Sequence, residues 1–330
     1  LMNVADGKER QISGLPAQLS IAGLAWSPDQ KWLAFNQVDA ASGANELWLV
    51  DVAAGSARRL QAGLNTVFGE GYQWLPDSRG LIVMTRVAGA GDPPPADGVP
   101  TGPAVQQTGK STGVVSIRTY QDLLKNQADA KLFDYYANAQ PMQVSLDGQA
   151  RAIGMAGIYL GLSVSPDGNY LLSQRVQRPY SYVVPVGSFP RRIEVLDRNG
   201  QLAHSVASRP LVEGLPTGND AEVTGVRDIS WRADAPATLV WAEAQDGGDP
   251  NRDAKVRDAV FMQAAPFEKP PVTLAQLGSR FGGITWGRGD LALLTESWWK
   301  TRNTKTWRIT PDDATQSPQL LWDRDAQDRY

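Results

Sequence analysis

One phrase recurs five times along this chain: a short apolar or aromatic run, a turn containing Pro and Asp, and a second apolar run. The clearest copy is Leu24-Ala25-Trp26-Ser27-Pro28-Asp29 followed by Trp32-Leu33-Ala34-Phe35. It returns as Tyr72-Gln73-Trp74-Leu75-Pro76-Asp77 with Leu81-Ile82-Val83-Met84, and as Leu162-Ser163-Val164-Ser165-Pro166-Asp167-Gly168 with Tyr170-Leu171-Leu172. Two degenerate copies follow, Ile229-Ser230-Trp231-Arg232-Ala233-Asp234 with Thr238-Leu239-Val240-Trp241, and Ile284-Thr285-Trp286-Gly287-Arg288-Gly289-Asp290 with Leu291-Ala292-Leu293-Leu294. Pro fixes φ and Asp or Gly tolerates the reversal, so each phrase specifies a hairpin joining the first two strands of a unit. Downstream pairs such as Glu46-Leu47-Trp48-Leu49-Val50-Asp51 and Ala57-Arg58-Arg59-Leu60 complete four strands. The anchor positions are 26, 74, 164, 231 and 286, and the shortest spacing suits the roughly 40–50 residues of a propeller blade. A solenoid would need a shorter period, and a sandwich would not reuse one phrase. The expected fold is therefore all-β, a β-propeller of four-stranded blades with five recognisable. They fall roughly at 18–66, 67–156 (with an insertion over 88–130), 157–211, 212–278 and 279–325. The anchor tryptophans are expected to pack blade against blade.

Charge and composition narrow the partners. With 32 Lys plus Arg against 35 Asp plus Glu, the 330 residues offer no basic stripe to a phosphate backbone, and nucleic acid is not an expected partner. No Cys is present, which removes disulfides, thiolate metal sites and cysteine nucleophiles. The turn aspartates lack the oxygen-rich spacing of a calcium loop, so no metal and no cofactor are expected. Apolar runs are only a few residues long, far short of the roughly 20 that span a bilayer. Residues 1–10 lack the basic-then-apolar order of a signal peptide, and any export signal is expected upstream of them.

Between the second and third copies lies a Pro- and Gly-rich stretch, beginning Gly89-Ala90-Gly91-Asp92-Pro93-Pro94-Pro95 and running through Gly113, expected as a surface excursion. A short helix is expected at Thr119-Tyr120-Gln121-Asp122-Leu123-Leu124-Lys125, with strands resuming at Lys131-Leu132-Phe133-Asp134-Tyr135-Tyr136 and over 140–146. Two motif matches here fail on context. Gly109-Lys110-Ser111 lacks the glycine a phosphate-binding loop needs five residues earlier, where Ala104 stands. Gly109-Lys110-Ser111-Thr112-Gly113 fits the hydrolase elbow pattern, but the polar run before it cannot form the buried strand an elbow requires. His204 is the one histidine, and it sits in an outer strand of the third unit rather than beside a nucleophile. Asp312-Asp313 follow Pro311 in a turn, where solvated acids are expected.

The phrases between the repeats are more specific than the repeats. Thr119 to Leu124, Leu132-Phe133-Asp134-Tyr135-Tyr136, Arg178-Pro179-Tyr180-Ser181-Tyr182-Val183-Val184-Pro185 with Phe189-Pro190, and Glu213-Gly214-Leu215-Pro216-Thr217-Gly218 form one set. Val240-Trp241-Ala242-Glu243-Ala244-Gln245-Asp246-Gly247-Gly248-Asp249, Arg280-Phe281-Gly282-Gly283-Ile284, Glu296-Ser297-Trp298-Trp299-Lys300-Thr301-Arg302, Asp323-Arg324 and Asp328-Arg329-Tyr330 form another. Together they resemble the propeller of bacterial and plastid glutamyl endopeptidases, within the prolyl-oligopeptidase family of serine peptidases. The resemblance implies seven blades in a complete member, capping a C-terminal α/β-hydrolase domain that carries the Ser-Asp-His triad and cleaves peptides after glutamate. It also implies that the propeller gates access of peptide substrate to the active site. The phrases end before the last blades and the hydrolase, so no triad residue carries over.

On that resemblance, basic side chains of the inner face would complement a glutamate substrate, the candidates being Arg178, Arg191, Arg192, Lys300 and Arg302. The rival reading is a stand-alone periplasmic propeller scaffold binding a protein or a glycan. A gene continuing past Tyr330 into a strand, elbow and helix separates the two. The chain alone is expected to hydrolyse no fluorogenic glutamate peptide; turnover that vanishes in Ser111→Ala would overturn this.

Overall fold

The structure, a computed structural model, describes residues 1–2, 4–39, 42–95 and 120–327. Its strands run in five antiparallel units of four. The first holds β1 (Ile21–Trp26), β2 (Trp32–Val38), β3 (Asn45–Asp51) and β4 (Ser56–Ala62). In the second, β5 (Tyr72–Trp74) and β6 (Gly80–Arg86) precede helix α1 (Gln127–Ala137), then β7 (Asn138–Ser145) and β8 (Ala150–Ala152). The third comprises β9 (Gly157–Val164), β10 (Tyr170–Val176), β11 (Arg191–Asp197) and β12 (Leu202–Arg209). The fourth comprises β13 (Arg227–Trp231), β14 (Thr238–Ala244), β15 (Asp258–Ala264) and β16 (Val272–Leu277). The fifth comprises β17 (Arg280–Arg288), β18 (Leu291–Trp298), β19 (Asn303–Ile309) and β20 (Gln319–Asp325). Each of the five repeat phrases is thus a β-hairpin opening a unit. Units 2 and 3 are fused into one eight-stranded sheet, because Asn138 and Ala139 of β7 also pair with Ile158 and Gly157 of β9.

The second strand of each unit decides the stacking. Residues along a strand alternate between faces, and these strands are buried on both. On β6, Leu81 and Val83 pack with Leu47 and Leu49 of unit 1, whereas Ile82 packs with Val164 and Leu171 of unit 3. On β10, Leu171 turns to unit 2 and Leu172 to unit 4. On β14, Leu239 and Trp241 face unit 3, and Val240 joins Leu294 and Ile309 of unit 5. The opening strands converge: Trp74 Nε1 donates to the Ala25 carbonyl of the preceding unit at 3.2 Å, and Trp231 Nε1 to Ser163 at 3.0 Å. Both indoles are buried as expected of blade-packing anchors, but Trp26 remains 50% exposed. It lies in the first unit, where no earlier carbonyl among the described residues receives it.

The hairpin turns are pinned by their own side chains. Ser27 Oγ donates to Asp29 at 2.7 Å and accepts the Trp32 N–H at 3.0 Å. Ser165, Asp167 and Tyr170 repeat this at 2.6 and 3.0 Å. Gln30, Ser78 and Gly168 occupy equivalent positions with φ of 60°, 58° and 72°, so the turn demands a left-handed residue whatever stands there.

The second unit departs from expectation. Residues 120–125 form no helix, and Lys131 to Tyr136 lie in α1 rather than a strand. Asn126 caps α1 by accepting the Asp129 N–H at 2.9 Å, and Asp129 accepts the Lys125 N–H at 2.8 Å. Ala130, Phe133 and Ala137 then share one helix face, and Phe133 packs edge-on against Tyr180 and Phe189. That tertiary contact overrides the strand propensity of Leu-Phe-Asp-Tyr-Tyr. Gly109 to Gly113, including Ser111, lie outside the described residues. Asp312 is not merely solvated, since Arg232 of unit 4 donates to it at 2.6 Å.

Units 4 and 5 are joined by a buried ionic network. Arg280 forks onto Asp246 at 2.8 and 2.9 Å and reaches Asp258 at 3.0 Å. Arg227 also donates to Asp258, and Arg257 to Asp246 at 3.0 Å. Both carboxylates are fully buried. Burial opposes the Arg280 charge, yet Asp246 and Asp258 outweigh it and raise its pKa. Removing one partner strands the others, so Asp258→Asn should cost about 3–5 kcal/mol in urea unfolding. Leu320→Ala, on the exposed β20, should stay within about 0.5 kcal/mol. Beside the network, burial raises the Glu222 pKa, with Arg227 opposing and Asp228 and Asp258 reinforcing the shift. A raised carboxyl gives stability that is complete below the unfolded-chain value and lost as pH rises through the folded value. Unfolding titrations should therefore show Glu222→Gln gaining stability relative to the parent across that window, then holding constant.

Candidate ligand-binding face

The antiparallel order sorts the connectors onto two faces. Strands one to two and three to four are joined at a turn face, as over 27–31, 75–79, 165–169 and 198–201. Connections from strand two to three, and from unit to unit, emerge at the opposite, loop face. There the chain spends 87–95 and 120–137 in unit 2, 177–190 in unit 3, 210–226 between units 3 and 4, and 245–257 in unit 4. Long, polar connectors at one end of a rigid scaffold are where binding groups are placed.

All five candidate cations lie at this loop face, but they do not form one cluster. Arg178 donates to Asp134 of α1 and lies 4.4 Å over the Tyr180 ring, and the Asp134 hydrogen bond raises its pKa. Tyr180 also donates its hydroxyl to Asp134, so Arg178 serves to pin α1 to the 177–190 connector. Arg192 is exposed, 3.8 Å from Glu194. Arg191 points to the other side of β11 and donates to the Gly187 carbonyl at 2.7 Å and to Gln174 at 3.4 Å.

Lys300 and Arg302 come together in an open cleft of about 620 Å³ between the connectors of units 4 and 5. Its walls include the acids Asp220 and Asp253 as well as Arg252 and Arg257, with Trp298 and Trp299. Residues 299–301 make one tight 3₁₀ turn, closed by Arg302 N–H to the Trp299 carbonyl at 3.2 Å. Arg302 then takes a left-handed φ of 55°, which lays its guanidinium 3.5 Å over the Trp299 ring. Arg257 sits 4.1 Å over Trp298 and is neutralised by Asp246. Asp220 holds the turn by accepting the Trp299 N–H at 2.9 Å, while its carbonyl accepts Arg280 Nε at 2.7 Å. The buried network is thus the floor on which the cleft is built. Arg252, Lys300 and Arg302 have no ionic partner among the described residues, so three cations share the aromatic-rimmed cleft with the two carboxylates of Asp220 and Asp253, a small positive excess.

The sequence did not reveal Arg252, Arg257, Asp220 or the buried acids as parts of this arrangement. Asp246 and Arg280 stand 34 residues apart, a separation that no local pattern records. Their one trace was membership of the phrases that carried the family resemblance. His204 stacks on Phe267 of unit 4 with ring centres 5.2 Å apart, toward the turn face, and has no part in the cleft.

No family model matches the chain. Two curated plant proteins match nearly all of it, both named probable glutamyl endopeptidase, chloroplastic. The one from Arabidopsis thaliana is 42% identical over 331 residues, covering 98% of this chain and 34% of that protein. The one from Oryza sativa subsp. japonica is 40% identical over 334 residues, covering 98% and 35%. The chain therefore spans about a third of the length of these relatives. Among solved structures, an oligogalacturonate lyase in complex with manganese aligns with a TM-score of 0.52 at 11% identity, over 91% of this chain and 64% of that one. An acylaminoacyl peptidase in complex with Z-Gly-Gly-Phe-chloromethyl ketone aligns at 0.50 and 10% identity, over 92% and 39%. At such identities the structural likeness speaks to the fold alone. Over nearly its whole length this chain is thus similar to one part, about a third, of proteins named glutamyl endopeptidase, and its four-stranded units are those of an all-β propeller.

Proposed function

We propose that this propeller is the non-catalytic, substrate-gating part of a serine peptidase that cleaves peptides after glutamate. Its loop face meets the C-terminal α/β-hydrolase domain of the same parent protein, and the cleft of units 4 and 5 receives acidic peptide segments. The observation that carries this reading is the cleft itself, where Lys300, Arg252 and the stacked Arg302 form no ion pair among the described residues and outnumber the cleft's two acids, Asp220 and Asp253, on the face that gathers the long connectors. A glutamate carboxylate that leaves water needs a cationic partner to offset its lost hydration. Trp299 fixes the Arg302 guanidinium in advance, so less freedom is lost when a carboxylate arrives. A gate formed by packed blades admits an extended peptide and excludes a folded protein.

The test belongs in the full-length parent, with Lys300→Gln and Arg302→Gln assayed on a glutamate peptide and its glutamine analogue. A hydrogen bond to a charged group contributes about 1.5–3 kcal/mol, so losing one should lower kcat/KM about 10- to 150-fold on the glutamate peptide. The glutamine analogue should be little affected. Variants that keep the parental glutamate-to-glutamine ratio would place specificity in the hydrolase and leave the propeller a steric gate.

A further inference from the structure

At the loop end of the seam between units 3 and 4, two arginines face each other, and neither makes an ion pair among the described residues. Arg191 opens β11, Arg209 closes β12, and the two are direct cross-strand partners. Their side chains therefore leave the sheet on one side, about 5 Å apart at Cβ. That side faces unit 4, because Ile193 and Val195, in step with Arg191, pack with Ile229, Trp231 and Leu239. Like charges set opposite each other in a ladder are unfavourable. Partial burial makes the arrangement worse, lowering the pKa of Arg191 and bringing that of Arg209 down to about 10, with the Arg191 charge contributing and Asp228 and Glu222 only partly opposing.

Hydrogen bonding leaves the pair unfinished. Arg191 spends its Nη atoms on Gly187 and Gln174, while its Nε is buried with no partner. Arg209 makes no side-chain hydrogen bond and no ion pair among the described residues. The charged groups across the seam are Arg227, Glu222 and Asp228, and they are engaged with one another: Arg227 binds Asp228 and Asp258, and Glu222 lies 4.0 Å from Arg227. Two adjacent guanidiniums with free donors match the two oxygens of a carboxylate.

We propose that Arg191 and Arg209 form a clamp for the side-chain carboxylate of an acidic peptide, a second anchoring point one seam away from the Lys300 cleft. The proposal rests on the peptide-binding reading above, but its test is separate. The full 330-residue chain is titrated calorimetrically with N-acetyl-glutamate amide and with N-acetyl-glutamine amide at fixed ionic strength. The glutamate probe should bind more tightly, and Arg209→Gln or Arg191→Gln should weaken it about 10-fold or more. Arg209→Lys, which keeps the charge and loses the fork, guards against a folding defect and should still bind more weakly than the parent. Arg192→Gln, on the opposite side of β11, should bind as the parent does. In the full-length parent, Arg209→Gln should lower kcat/KM for glutamate over glutamine peptides, whereas a carboxylate supplied by the hydrolase domain would leave that ratio unchanged. An unchanged ratio overturns the proposal, as does a parent that binds both probes equally. Loss of selectivity in Lys300→Gln but not in Arg209→Gln would sink the clamp and leave the peptide-binding reading standing.

Discussion

A four-stranded sheet that is apolar on both faces cannot remain in water on its own; each face must meet another sheet. Every other feature of this chain follows from that requirement. Leu81 and Ile82 are neighbours in sequence yet belong to different inter-unit cores, and the same holds for Leu171 and Leu172 and for Leu239 and Val240. On the face of unit 1 turned away from unit 2, Ile12 and Leu15 pack over Leu33, Phe35 and Val50. Trp26 is left half uncovered.

Because the faces are spent on packing, polar chemistry is confined to the sheet ends, and the two ends differ. Turns of two to nine residues close one end, and in units 1 and 3 Ser and Asp side chains satisfy their backbone locally. The other end carries the connectors, and it is there that charge is gathered. Arg280, Asp246 and Asp258 exchange enough hydrogen bonds to tolerate burial, and in doing so they carry the backbone of Asp220 and hence the turn that presents Lys300. Charges that need no ligand thus position charges that do.

The hairpins were legible because a Pro-Asp turn between apolar runs is a local signal, complete within about a dozen residues. The four-stranded unit and its stacking were legible for the same reason, repeated. Helix α1 was not, since Phe133 owes its conformation to Tyr180 and Phe189, and the cue of Asn126 and Asp129 is outweighed locally by aromatic, strand-favouring neighbours. The candidate cations were expected on the inner face of the propeller; they lie at the loop end of the sheets, and sequence could not tell Arg178, committed to Asp134, from Lys300, which has no ionic partner among the described residues. Arg209 was invisible because its interest arises from being opposite Arg191, a fact of strand register.

The pairing of β7 with β9 makes the seams mechanically unequal. Parting units 2 and 3 at the loop face breaks a backbone ladder, and parting units 4 and 5 breaks the Arg280 fork. Units 3 and 4 have neither at that end; they are latched at the turn face, where the Asp167 N–H donates to the Pro236 carbonyl at 2.9 Å. Widening that seam would therefore pivot on the turn side and open toward the connectors like a book held at its spine, with Arg191 and Arg209 on the inside of the page.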